Sequence, residues 1–205
     1  SANAKWLTEI AHRNPIWIHT KDARRIGVDN GDLLKVKTEI GWFVDKVWVT
    51  EAIKPGVVAC SHHIGRWRRQ QDEGNRFMTN TVDIKNLGDG KWKMSTVSGV
   101  ESWQTNDPDT SRIWWRDGGV HQNITHATNP DPISGAHCWL QKVSISKPGP
   151  NEDYGDIFVD TNRSFEHFKK WNEWAKKRET HPNGLRRPLW MARPLTPQKD
   201  QFYLK

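Results

Sequence analysis

The stretch from residue 14 to residue 67 constrains the fold most, because the sequence marks both its turns and its strands. Its breaks fall at glycine, proline, asparagine and aspartate, as in Gly27-Val28-Asp29-Asn30-Gly31-Asp32 and Lys54-Pro55-Gly56. The runs between these breaks are rich in β-branched and aromatic residues, which favour strands. The pattern predicts a small, tightly turned β unit that ends in the loop Ser61-His62-His63-Ile64-Gly65-Arg66-Trp67.

The same stretch sets the bounds of its elements. We expect strands over residues 16–19, 33–38, 42–50 and 57–60. Thr20 is expected to be the N-cap of a helix over 21–26, and Gly27 its C′ residue. Before this unit a short helix is expected over 5–13, and Pro15 ends it because the residue before a proline avoids the helical region.

The rest of the chain is less regular. Residues 72–112 lose periodicity and are interpreted as a long insertion, partly ordered by Trp92 and Trp103. Alternation predicts a strand over 139–145, and an apolar stripe predicts a helix over 165–178 that Ser164 caps. We therefore predict a domain over 1–147 and a C-terminal helix with an extended tail over 148–205. The tryptophans expected in the core are Trp42, Trp48, Trp139 and Trp171.

Composition limits the function classes. The 205-residue chain has a net charge of +7, which suits phosphate, nucleic acid or an acidic partner surface. No apolar run approaches the roughly 20 residues of a membrane helix. Cys60 and Cys138 are too few for a disulfide framework and lack iron–sulfur spacing. Cys60 with His62 and His63 would suggest zinc, but a fourth ligand at suitable spacing is missing.

Two segments interleave arginine with tryptophan and keep a second function class open. They are Arg66-Trp67-Arg68-Arg69 and Trp114-Trp115-Arg116. Single-strand binders stack bases on aromatic rings and hold phosphates with cations, so a single-stranded nucleic-acid-binding module is the alternative function. Arginine–tryptophan clusters also stabilise protein interfaces, which is the other interpretation of these segments.

The turn motifs form an ordered series with a second block downstream. The series comprises Asn14-Pro15-x-Trp17, Asp22-Ala23, Ile26-Gly27, Asn30-Gly31-Asp32, Gly41, Val49-Thr50 and Ile53-x-Pro55-Gly56-Val57-Val58. The second block comprises Asn123 and Asp131-Pro132-Ile133-Ser134-Gly135. Together, over residues 5–145, they resemble the C-terminal molybdopterin-dinucleotide-binding domain of the DMSO-reductase family of molybdenum or tungsten oxidoreductases.

The resemblance implies a mainly β fold with short helices, in the form of a double-psi six-stranded β-barrel that lacks its first strand here. It implies a bis(molybdopterin guanine dinucleotide) cofactor with Mo or W. The family's metal ligand and iron–sulfur cysteines lie in earlier domains, so we expect a C-terminal piece of a larger catalytic subunit that is inactive alone. Expected partners are the N-terminal domains and an electron-transfer subunit, with no nucleic acid and no direct membrane insertion. Export with a partner is common in the family, so a periplasmic and a cytoplasmic location both stay open.

The resemblance also implies which residues bind the cofactor. One group follows the strand over 57–60, and the other lies around the second block. The implied contacts are His62, His63, Gly65, Arg66, Trp115, His121, Gln122, Asn123 and Gln141. Solvated loop residues are the alternative for the first group, and a turn residue bonded to its own backbone is the alternative for Asn123. Lys142 competes with Gln141 for the same role.

Overall fold

The chain, seen in a computed structural model, folds mainly as β-structure with short helices. The described residues are 7, 10, 11, 13–65, 82–96, 106, 119–131 and 134–176. The strands are β1 Ile16–His19, β2 Leu33–Lys37, β3 Gly41–Thr50, β4 Val58–Ala59, β5 Val82–Gly88, β6 Lys91–Thr96, β7 Ser144–Ser146 and β8 Ile157–Asp160. The helices are α1 Thr20–Ile26 and α2 Thr161–Lys176, with a 3-10 turn at Gln122–Thr125.

The ten-residue strand β3 organises the sheet because it pairs with β1, β2 and β8. It runs parallel to β1 and antiparallel to the other two. The main path through the sheet is β4-β1-β3-β8-β6-β5, and β2 links β3 to β7. The result is an open mixed sheet, and the core lies against its apolar face. The main core cluster contains Ile16, Ile18, Ala23, Val28, Leu34, Val36, Phe43, Val47, Met94, Val120 and Ile157.

The β1–α1 junction differs from the prediction in its cap. The ring Nδ1 of His19 accepts a hydrogen bond from the Lys21 N–H at 3.0 Å, so His19 and not Thr20 is the N-cap. The Thr20 hydroxyl instead bonds the carboxylate of Glu51. Gly27 ends the helix with φ 75° and donates to Ala23 O, as predicted. The expected early helix has only Leu7 and Ile10 in helical conformation among the described residues of 5–13.

The predicted insertion contains a regular hairpin, so the expectation of lost periodicity over 72–112 was wrong for 82–96. Strands β5 and β6 pair antiparallel. Asp89 and Gly90 join them with φ values of 51° and 70°, the signs that a type I′ turn requires. The Thr161 N–H donates to Gly90 O at 2.8 Å, which ties the hairpin turn to the start of α2.

The strand predicted over 139–145 is also wrong, because only 144–146 form β7. The chain continues into β8, whose Ile157 and Val159 are buried between β3 and β6. Helix α2 starts at Thr161 rather than 165, because Asp160 rather than Ser164 accepts from the Arg163 N–H at 3.1 Å. The domain boundary at residue 147 stays a prediction.

Two of the tryptophans expected in the core are exposed. Trp48 is 44% accessible and meets Trp17 edge to face across β1 and β3, on the outer face of the sheet. Trp139 is 41% accessible. Trp42 and Trp171 are half-buried, each stacked on a phenylalanine. Within the described part of the chain, no helix is both long and apolar enough to cross a membrane.

Candidate functional site

Two loops far apart in sequence meet beside the start of β1. We call residues 60–65 the first loop and residues 119–126 the second loop. The first loop leaves β4, which runs antiparallel to β1, so it starts at the edge of the sheet where residue 14 enters β1. The second loop contains the 3-10 turn, and the Thr38 hydroxyl fixes its end by donating to Thr125 O at 2.6 Å. The described polar residues predicted to bind a ligand in these loops therefore lie side by side.

The side chain of Asn14 joins both loops. Its Nδ2 lies 3.0 Å from Ser61 O, 2.7 Å from Val120 O and 3.1 Å from Gln122 Oε1, so its two N–H groups are shared among three acceptors. Its Oδ1 accepts from the Val120 N–H at 2.8 Å. The residue is 2% accessible, so these bonds replace water at a buried amide.

Glycine at two positions lets the loops touch. Gly65 has φ 93°, and a Cβ there would lie 2.3 Å from the carbonyl carbon of Val120. Gly119 has φ 79°, and a Cβ there would lie 2.5 Å from Asn14 Oδ1. L-residues rarely adopt such φ values, and here the space is filled as well. The close approach at Gly65 is thus to the second loop, and its approach to a cofactor stays a prediction.

The predicted residues of the second loop face different ways. Gln122 is 1% accessible, and its Nε2 donates to Ser61 O at 2.8 Å. The His121 ring lies 3.3 Å from Gly65 O. Asn123 donates through Nδ2 to His62 O at 2.7 Å. Its Oδ1 is buried and has no hydrogen-bond partner among the described residues. The amide group of Asn123 therefore holds this side chain against the first loop, and a contact of its oxygen with a cofactor stays a prediction.

An aromatic cluster covers the outer side of the first loop. Trp139 stacks on the exposed ring of His62, with ring centroids 4.4 Å apart and planes 19° apart. His137 and His126 meet the same indole at 4.3 Å and 5.7 Å, both nearly edge-on. The segment that carries Trp139 is tied to the chain after the second loop by the Cys138 N–H, which donates to Asn129 O at 3.0 Å, and its contacts with the first loop are ring contacts.

Two imidazoles of the site, those of His121 and His126, have a lowered pKa. Burial lowers the pKa of His121 below its usual 6.5, and the carbonyl of Gly65 offsets only part of that effect. Burial also lowers the pKa of His126, helped by the nearby His137 and His62. Both rings are therefore neutral at pH 7. Burial raises the pKa of the Cys60 thiol, which donates to Asn14 O at 2.9 Å.

The remaining predicted contacts have separate positions. Gln141 Nε2 donates weakly to Ala127 O at 3.4 Å, and His63 Nδ1 lies 2.8 Å from the Ser61 hydroxyl. Arg66 and Trp115 lie outside the described residues, as do both arginine–tryptophan segments. In the described ranges, no three His, Cys, Asp or Glu side chains are grouped to hold a metal ion.

Three residues at the site were missed from sequence. Asn14 was used only as part of a turn motif, and Trp139 was assigned to the core. His126 and its contact with Trp139 were not predicted. The sequence did contain a signal for Asn14. A residue immediately before a proline avoids the helical region, so the amide before Pro15 is expected at the entrance to a strand and not within a helix. Nothing in the local sequence pairs His126 or Trp139 with His62.

Comparisons with known proteins found a matching family model and a similar protein. Residues 1–87 match the family model for the molydopterin dinucleotide binding domain, a span that includes the first loop but not the second. A protein of Halobacterium salinarum (strain ATCC 700922 / JCM 11081 / NRC-1), named as a putative catalytic subunit of dimethyl sulfoxide reductase, is 35% identical over 74 residues. That match covers 36% of this chain and 9% of the relative, so the chain spans a small part of the relative's length.

No solved structure matches the chain significantly. The family match and the relative agree with each other, and they confirm the resemblance carried by the first series of turn motifs, whereas the second block around Asn123 lies outside the family match. Residues 1–87 therefore carry the sequence of a molybdopterin-dinucleotide-binding domain, similar to that of a protein named as a DMSO reductase catalytic subunit.

Proposed function

We propose that this chain is the C-terminal cofactor-binding portion of a larger molybdopterin oxidoreductase, and that the first and second loops hold its bis(molybdopterin guanine dinucleotide). The observation that carries the proposal is the pairing of the loops at Asn123 and His62, where Nδ2 donates to the His62 carbonyl and Oδ1 is left without a described partner. A buried acceptor without a donor is costly unless a ligand supplies one.

The chemistry of these groups fits the ligand. Pterin and guanine rings present N–H donors along one edge, which the Oδ1 of Asn123 is suited to accept. The exposed imidazoles of His62 and His63 donate to pyrophosphate or pterin oxygens. The net charge of +7 favours a ligand with several negative charges. When bound, the cofactor supplies the redox chemistry, while these residues bind and orient it.

The remaining predicted contacts divide into two roles in this proposal. Gln122 and His121 support the loops from behind, because the amide of Gln122 is buried against Ser61 and the His121 ring is turned to Gly65. Gln141 lies close to Trp139 in sequence and supports the segment that covers His62. Arg66 and Trp115 are proposed as additional contacts on the strength of the family resemblance.

Finer features of the fold and cofactor belong to the same proposal. We propose that the sheet corresponds to a double-psi six-stranded β-barrel, supported by the parallel β1–β3 pair within an otherwise antiparallel arrangement of described strands. We propose a cofactor domain over 1–147 with an extension over 148–205. The metal is molybdenum or tungsten, and an iron–sulfur cluster belongs to the preceding part of the catalytic polypeptide.

The partners follow from the small share of the relative that the chain covers. A domain matching 9% of a catalytic subunit needs the other domains to complete the cofactor cavity and supply the metal ligand. We propose those N-terminal domains as direct partners, and we propose that the second partner is an electron-transfer subunit.

Cofactor content tests the proposal directly. The chain is rejoined to its preceding domains and produced in a host that makes the cofactor, and the GMP released by acid hydrolysis is measured per polypeptide. Asn123→Asp removes the amide donor and places a carboxylate beside an anionic ligand. It is expected to weaken binding about tenfold, which corresponds to about 1.4 kcal/mol.

Asn151→Asp is the matched control, because the same change is made at an exposed turn outside both loops. Its GMP content is expected to equal that of the unchanged protein. Equal GMP in the Asn123→Asp protein, or no GMP in the unchanged protein, would refute the proposal.

A further inference from the structure

We infer that Asn14 is the positioning residue of the cofactor site, because its carboxamide fixes the spacing between the first loop and the second loop. This inference rests on the proposed function for its consequence, but the geometry that carries it belongs to this chain. Asn14 itself is 2% accessible and does not face a ligand. It acts through the residues that do.

The hydrogen bonds of Asn14 reach both loops next to the proposed contacts. Nδ2 bonds Ser61 O, one residue before His62, and Gln122 Oε1, one residue before Asn123. The bonds from Val120 N–H to Oδ1 and from Nδ2 to Val120 O hold the second loop in both directions. One planar amide therefore bonds both loops next to His62 and Asn123, and it adds to the direct bonds from Gln122 to Ser61 O and from Asn123 to His62 O.

The surroundings leave Asn14 no alternative position. Gly119 approaches so closely that a Cβ would lie 2.5 Å from Oδ1 of Asn14 and 2.7 Å from Cγ2 of Ile64. On the other side, the Cys60 thiol donates to the Asn14 carbonyl at 2.9 Å. Pro15 follows directly and fixes the backbone entering β1. The start of β1 therefore fixes the position of the Asn14 amide, and this amide in turn bonds both loops.

Only an asparagine side chain combines the required donor and acceptor in this space. Aspartate has nearly the same shape and could still accept from the Val120 N–H, but the oxygen that replaces Nδ2 would face the oxygens of Ser61, Val120 and Gln122 with no proton to donate. We expect Asn14→Asp to push the loops apart. Gly119→Ala is expected to displace the same amide from the opposite side without changing its chemistry.

The His62 ring reports the loop position in the intact chain without cofactor. Because His62 stacks on Trp139 at 4.4 Å, we expect the indole to shift its ring-proton NMR signals upfield, and His62→Gln assigns them. We expect Asn14→Asp and Gly119→Ala to lose this upfield shift. Asn162→Asp is the control, since Asn162 Nδ2 ties α2 to Asp89 O at 2.8 Å, away from both loops. It is expected to keep the shift.

A merely structural role gives a different result. In that case the variants would lower the urea midpoint, but the folded fraction would keep the His62 signals of the unchanged chain, and the inference would be overturned. Failure of both Asn14→Asp and Gly119→Ala to fold, with Asn162→Asp folded, would also overturn it, because Asn14 would then serve the fold as a whole.

Titration with guanosine 5′-diphosphate, a probe for half of the dinucleotide, separates this inference from the proposed function. Displaced His62 signals with an affinity about tenfold weaker than that of the unchanged chain support both. Displaced signals with equal affinity overturn the positioning role. No binding by the unchanged chain counts against the proposed function, and the NMR comparison still decides whether Asn14 sets the loop spacing.

Discussion

Strand β8 packs so closely on β3 that Gly41 admits no side chain. A Cβ at Gly41 would lie 2.1 Å from the carbonyl oxygen of Phe158 and 3.2 Å from Val159 Cα, whereas ordinary contact begins near 3.4 Å. Gly41→Ala must therefore move β8 by about 1 Å. The bond from the Asp160 N–H to Ile40 O at 2.8 Å lies next to this point and would be strained.

The expected loss combines overpacking with weakened backbone hydrogen bonds. Overpacking costs about 1–3 kcal/mol, and a lost backbone bond about 1 kcal/mol, so Gly41→Ala should lower the free energy of unfolding by about 2–4 kcal/mol. Urea unfolding followed by far-ultraviolet circular dichroism measures this loss. The backbone of Gly41 does not have a positive φ, so the contact alone is tested.

Gly149→Ala is the matched control. Gly149 also lacks a positive φ, and a Cβ there would meet only the Glu152 side chain, at 3.5 Å. We expect its unfolding free energy to stay within about 0.5 kcal/mol of the unchanged chain. A Gly41→Ala protein as stable as Gly149→Ala would show that β8 does not lie against β3 as described.

Three further predictions follow from buried groups. Because burial lowers the pKa of His121 and His126 below 6.5, the unfolded chain binds more protons, and the unfolding free energy should fall below about pH 6.5, by at most about 1.4 kcal/mol per pH unit for each ring. Urea unfolding at pH 7 and pH 5 should show a smaller loss for His126→Gln, and an unchanged pH dependence would contradict this. His19→Ala should cost about 1 kcal/mol by loss of the N-cap, and His19→Asn should cost less in the same assay; equal losses would argue against capping. Iodoacetamide should modify the exposed Cys138 in the native chain much faster than the half-buried Cys60, whose thiol donates to Asn14 O, as read by mass spectrometry, and equal native rates would contradict the shielding of the Cys60 thiol.

Turns and strand bounds could be predicted where individual residues such as glycine specify the local backbone conformation. Gly27 ends α1 in the left-handed conformation, and β2 and β3 lie within a residue of their predicted bounds. The hairpin at Asp89-Gly90 was also readable, because an Asp-Gly pair between alternating runs is a strong hairpin signal. It was missed because low periodicity across the surrounding segment was given more weight than that dipeptide.

Contacts between distant segments were beyond local reasoning. The register of β8 against β3 and β6 depends on pairings more than 60 residues apart in sequence, which no local period encodes. The position of Trp139 could not be predicted from local sequence either. Alternation placed it in a buried strand, but its partner is the imidazole of His62 in a loop. For the site, the family resemblance predicted contacts among the polar residues of both loops, which stay predictions, whereas the role of Asn14 in joining the loops emerged only from the hydrogen bonds.

The place of β8 in the sheet bears on the order in which the nascent chain acquires structure. The β5–β6 hairpin is complete at Thr96, but β8, its neighbouring strand among the described elements, begins about 60 residues later, at Ile157. At a synthesis rate of about 5–20 residues per second, the ribosome needs roughly 3–12 s to deliver that strand. During this interval the edge of β6 and the apolar side chain of Met94 have no strand to cover them. A chaperone that binds exposed strand edges would find its target here, and a chain released before Ile157 would retain it.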